Sequence, residues 1–219
     1  MEDKEKESTE DLEELEELEE LDKDSLLKEL AEHGYNIGFG AKVHFATYDT
    51  VTKVPGMVSL VGLLIGVGQL AYPNYNYSTT ISTLLIMVSI IALTMSSYNA
   101  EKDEYSKIGT ELTELFNELK RIYYKVKNSD QEIFTEEVKR LREITNKYYA
   151  ISKSNQIFGS HWLAHYKFFW QHQIEWVDEQ KEFKFWKDKI PKSFLWFIVV
   201  MALVAWAWYL VFIKGGTTC

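Results

Sequence analysis

Between Lys53 and Glu101 the chain carries no charged residue, a run of 47. Soluble core helices rarely go so long without charge. One membrane span needs about 20 apolar residues, so the run suits two helices and a turn. Pro73 and two asparagines mark the turn within Tyr72-Pro-Asn-Tyr-Asn-Tyr-Ser-Thr-Thr80. The expected spans are Val54–Ala71 and Ile81–Tyr98, forming a transmembrane hairpin over 54–98. A second uncharged run, Ser193–Ile213, predicts a third span over 193–213, followed by a tail over 214–219. The first apolar run begins after 53 residues, which argues against a cleavable signal peptide.

Charge is sorted along the chain. Residues 1–32 hold 16 acids and 4 lysines, whereas the whole chain has a net charge of −9. Within this stretch Leu12, Leu15, Leu18 and Leu21 recur every third residue, a spacing that precesses around a helix and forms no stripe. Residues 1–33 therefore read as a solvated acidic low-complexity tail, with a plug or a bait for a basic partner as the functional alternative. Residues 101–192 carry 17 bases and 16 acids, and Lys184, Lys187, Lys189 and Lys192 lead into the third span. The positive-inside rule then places the N-terminus and residues 99–192 in the cytoplasm and the C-terminus outside an inner (plasma) membrane.

Three glycines in 34–53 (Gly34, Gly38 and Gly40) suggest a loop, followed by a short pre-membrane helix at the interface. After the second span, Tyr98, Tyr105, Leu112, Leu119 and Val126 recur every seven residues, and Ile108, Leu115 and Ile122 fill the offset. This is a heptad seam. Lys127-Asn-Ser-Asp-Gln131 interrupts it. A second seam follows with Phe134, Val138, Leu141, Thr145, Tyr148 and Ser152. The two arms predict a cytoplasmic antiparallel helical hairpin over 99–158, whose seam can close within the chain or between subunits. Tyr105, Ile108, Leu112, Leu115, Leu119 and Ile122 are the candidate oligomer seam. Residues 159–192 are rich in Trp, Phe and Lys and read as an interfacial segment. The fold class is thus an all-α membrane protein: a transmembrane hairpin, a cytoplasmic helical hairpin and a C-terminal third span.

Chemistry is sparse. His161, His165, His172 and Glu175 would share one face of a continuous helix, a thin set for a metal, and no metal site is assigned. No phosphate loop or nucleophile elbow occurs. Cys219 is the only cysteine, so no internal disulfide forms. These features predict no enzyme, no cofactor and no nucleic-acid partner, leaving membrane lipid and a homo-oligomer as partners. In the first span Ser59, Gly62, Gly66 and Gln69 share a face, with the small-xxx-small spacing of close helix approach. Ser82, Ser89 and Ser96 form a stripe on the second. These seven residues are the candidate pore-lining or helix-packing face, and the third span reads as a peripheral anchor.

Three stretches carry a resemblance: Ala41-Lys-Val-His-Phe45, Ser97-Tyr-Asn-Ala-Glu-Lys-Asp-Glu-Tyr105 and Lys147-Tyr-Tyr-Ala-Ile-Ser-Lys-Ser-Asn155. With the segment from His161 to Pro191, residues 40–192 resemble the SLATT domain, a two-transmembrane effector domain of bacterial conflict systems. The aromatic segment is similar to the extension of one SLATT subgroup. The resemblance implies an anti-phage effector that oligomerises and permeabilises the inner membrane on an infection signal. It also implies a separate nucleotide-signal sensor or synthase as partner, and no catalytic residues. A non-conducting scaffold that recruits partners through its helical hairpin is the alternative.

Overall fold

The computed structural model describes residues 21–74 and 76–210, and only the backbone of Ser96. The repeated leucines at 12, 15 and 18, the bulk of the acidic tail and Cys219 lie outside the described residues. The described residues form helices α1 (Lys23–Ala71), α2 (Ser78–Thr94), a 3₁₀ segment (Met95–Glu101), α3 (Lys102–Lys127) and α4 (Thr135–Ile151). They continue as α5 (Ser160–Gln171), α6 (Glu175–Lys181), α7 (Phe185–Asp188) and α8 (Lys192–Trp208). The chain divides into two units, Met1–Lys181 and Glu182–Cys219. Among the described residues, three helices are long and apolar enough to cross a membrane.

The first unit is organised by α1, which runs 49 residues without interruption, about 73 Å at the α-helical rise. It starts at Asp22, whose carboxylate accepts from the Ser25 N–H at 2.8 Å, an N-cap of the usual kind. Residues 23–33, expected to belong to the tail, are therefore its first turns, and Leu26, Leu30 and Ala31 are fully buried. The expected loop at 34–40 is also helical. There the glycines serve close packing. A Cβ on Gly34 would lie 2.3 Å from the Trp176 ring, and one on Gly38 would lie 2.7 Å from Phe116.

The character of α1 changes near Pro55. Up to Val51 it presents a buried face, whereas Leu60, Leu63, Leu64, Val67 and Leu70 are exposed. The exposed half is the first span. It returns through the turn into α2, none of whose residues is buried. The buried half is the axis of a charged helical bundle.

In that bundle α3 packs chiefly on α1 and far less on α4. Gly38 meets Phe116, and Gly109 meets Phe45, so α3 descends as α1 rises. Tyr105, Ile108, Leu112, Leu115, Leu119 and Ile122 are all buried. Of the two closures the sequence left open, within the chain or between subunits, the single chain shows the first, with α1 over the seam. The pattern reported an apolar face, and a sequence-local partner was not required to cover it. The hairpin of α3 and α4 is present, with the second arm only 17 residues long. Phe134, Val138, Leu141 and Ile144 are buried. Ion pairs Lys125–Glu137 and Arg140–Glu118, both 2.6 Å, tie the two arms together, the first through the buried Glu137.

Helices α5 and α6 pack on another side of α1. Phe168, Trp176 and Val177 are essentially inaccessible, and Trp176 lies between Phe116 and Tyr123 at 5.3 and 5.2 Å. The segment expected at the interface thus supplies core aromatics, although Tyr166 and Trp170 are exposed. Gly159, at φ 84°, supplies the left-handed turn that starts α5.

In the second unit, α8 is a 17-residue apolar helix whose residues are all solvent-facing. Trp206 and Tyr209 stack at 5.9 Å between ring centroids. Its composition and length suit a third span.

Candidate functional site

The predicted face of the two spans divides into three groups. Near the turn, Gln69 Nε2 donates to the Ser78 carbonyl at 2.8 Å, and Ser82 Oγ donates to Gln69 Oε1 at 3.2 Å. An amide in lipid must find partners within the protein, and Gln69 finds them on α2. It acts as a clasp across the top of the hairpin. Replacing Gln69 with Leu should loosen this end, and proteolysis within 72–77 should accelerate in detergent. An unchanged cleavage rate would remove the clasp.

Gly62 and Gly66 form the second group. A Cβ added to either would meet nothing within 4 Å. Both are half-buried on the face they share with Gln69, so these small residues leave unfilled space there and make no close contact. At the other end, Ser59 and Ser89 line one groove between α1 and α2, and Ser59 Oγ donates back to the Pro55 carbonyl at 2.9 Å. Ser96 falls in the 3₁₀ segment, and its side chain lies outside the described residues.

Where the spans meet the bundle, residues 152–157 form a strap that sequence reasoning missed. His44 Nδ1 lies 2.8 Å from the Gly40 carbonyl, and the Lys153 N–H reaches His44 Nε2 at 3.2 Å. This arrangement assigns the proton to Nδ1 of a neutral ring. Burial holds the His44 pKa below the usual histidine value. Thr47 Oγ1 donates to Gln156 Oε1 at 2.5 Å. On the opposite side Lys153 Nζ bridges Glu101 and Glu104 at 2.6 and 2.8 Å. The Tyr105 hydroxyl donates to the Asn155 carbonyl at 2.5 Å. The three sequence stretches 41–45, 97–105 and 147–155 thus converge on one joint. Only their separate patterns were visible in the sequence, because the ion pairs join residues 49 and 52 positions apart.

The histidines of the aromatic segment are not on one helix. Helix α5 ends at Gln171, and His172 is extended at φ −109° and ψ 146°. His165 packs edge-on to Phe39, and His172 sits 4.8 Å from the Phe116 ring. Among the described residues no three His, Cys, Asp or Glu side chains gather as metal ligands would.

Burial, with Lys42 and Lys120 nearby and Glu175 opposing, pushes the His172 pKa down to about 4. An unfolded histidine titrates near pH ~6.5, so the unfolded chain binds more protons between these values. Stability must therefore fall as pH drops from 6.5 towards 4, before most carboxylates protonate. His44 contributes with the same sign. Melting of the detergent-solubilised protein should show this slope, and His172→Phe should flatten it. A parent whose melting temperature is constant across that window would refute the assignment.

The model of one protein family, described as SMODS and SLOG-associating 2TM effector domain 6, matches residues 21–198. No curated protein and no solved structure matches the chain.

Proposed function

Because the chain belongs to the SMODS and SLOG-associating 2TM effector family, a membrane effector of conflict systems and not a known enzyme family, we propose that it acts by assembling through its spans and permeabilising the inner membrane. The observation that carries this reading is the unfilled space at Gly62 and Gly66, where an added Cβ would meet nothing within 4 Å. Small residues let transmembrane helices approach closely, and that approach drives association in lipid. The heptad seam is already closed inside the chain, so assembly runs through the membrane. The bundle lies on the cytoplasmic side, as the lysines flanking the spans favour. A nucleotide-signal sensor or synthase acts on the bundle, and the strap at 152–157 carries the change to the hairpin.

The test is membrane potential, followed with a voltage-sensitive dye in cells expressing the parent and the Gly62→Leu/Gly66→Leu variant at equal level. The parent should depolarise the cells when its cognate trigger is present. The variant should insert and fold but fail to depolarise, because its new side chains enter space that is empty in the single chain. A parent that leaves the potential intact with its trigger present would favour the scaffold reading, in which the bundle recruits partners without a conduit.

A further inference from the structure

The groove between α1 and α2 has a volume of about 450 Å³, within the ordinary range of ligand sites. It lies at the border of the uncharged run. Val51, Pro55, Val58, Ala92 and Leu93 line it together with Thr52, Ser59 and Ser89, and Asn99 and Lys102 line it towards the charged bundle, where its mouth is taken to lie. The walls suit an acyl chain, while the mouth suits a charged headgroup.

The charges around the mouth sharpen this. Glu101 and Glu104 are both engaged by Lys153. Asp49 is engaged by Lys53 and Lys167. Among the described residues Lys102 makes no ion pair, so a lysine without a carboxylate partner stands over an apolar groove where the helices leave the membrane. A cation at that depth attracts anionic headgroups.

We propose that this groove binds one acidic glycerophospholipid, with an acyl chain between α1 and α2 and the phosphate on Lys102. The occupant is a membrane lipid and not a soluble anion, because most of the lining is apolar and faces the bilayer border. The site is independent of the glycine face at Gly62 and Gly66, so it stands whether or not the protein conducts.

Native mass spectrometry of the full chain in detergent tests this, with phosphatidylglycerol and phosphatidylcholine of identical acyl chains as probes. The parent should retain one phosphatidylglycerol per chain in preference to phosphatidylcholine. Lys102→Gln should weaken that binding by about fivefold, the loss of one lysine near a headgroup. Ala92→Phe, which fills the groove, should abolish it while the melting temperature is kept. Val58→Phe fills it from the opposite wall and serves if the first variant is unstable. Equal retention of the two lipids by the parent would overturn the proposal. So would glycerol 3-phosphate competing as well as the intact lipid, which would make the site a soluble-anion site. A dimer that Ala92→Phe splits into monomers would likewise overturn it, by assigning the groove to a second copy.

Discussion

Leu112→Asp should unfold the charged bundle and not merely separate subunits. Leu112 is fully buried on α3, and a Cβ on Gly40 of α1 would lie 3.6 Å from its side chain. An aspartate there has no cationic partner and no water. Burying an unpaired carboxylate costs at least several kcal/mol, ~3–5 in measured cases. That is a large share of the ~5–15 kcal/mol that holds a typical domain. The spans should remain helical, because their stability comes from the bilayer. The expected result is therefore partial: far-UV circular dichroism falls, and limited proteolysis cuts within 102–151 while the hairpin survives. Leu119→Asp should behave alike, since Leu119 is also fully buried. A bundle that resists protease while a larger assembly dissociates would put the seam between subunits after all.

The spans were legible because a bilayer constrains every residue that crosses it, and a single charge in 54–100 would have spoiled the pattern. The heptads of α3 were legible for a related reason. Its apolar face repeats with the helix, whatever covers it. What covers it was not legible. The part of α1 that does so contains Gly38 and Gly40, and glycines in a row of mixed residues read as breakers. In this helix they are the places where aromatic rings come closest. The same ambiguity affected the aromatic segment. Trp and Lys together are as compatible with a membrane interface as with a core. Trp176, 1% exposed, shows the second use, and Trp170, 59% exposed, is compatible with the first. The polar stripe of the spans was legible as residue types but not as roles. Gln69 bonds to the second span, while Gly62 and Gly66 on the same face leave space unfilled.

Gly34→Ala and Gly66→Ala should have opposite signs, although both place the same methyl group on the same helix. The change from Gly to Ala favours a helix by about 1 kcal/mol in either case. At Gly66 nothing lies within 4 Å of the new Cβ, so that gain stands, and the melting temperature of the single chain should hold or rise. At Gly34 the new atom would lie 2.3 Å from Trp176 Cη2 and 2.8 Å from Cζ2. The indole cannot withdraw, because Trp176 is 1% exposed and wedged between Phe116 and Tyr123. Overpacking of this kind costs ~1–3 kcal/mol and sometimes more, so after the helix gain the net change is a loss of roughly 1 kcal/mol. The ring also holds a buried Nε1 without a hydrogen-bond partner. Trp176→Leu removes that unsatisfied donor and opens space beside Gly34, at the cost of a cavity. In the pair Gly34→Ala/Trp176→Leu the methyl occupies part of that cavity, so the double variant should be more stable than the two losses added together. A double-mutant cycle by thermal or denaturant unfolding measures this directly, with a coupling of about 2 kcal/mol expected. Additive losses would mean that Gly34 and Trp176 do not meet, and the close crossing of α1 and α6 would fall with them.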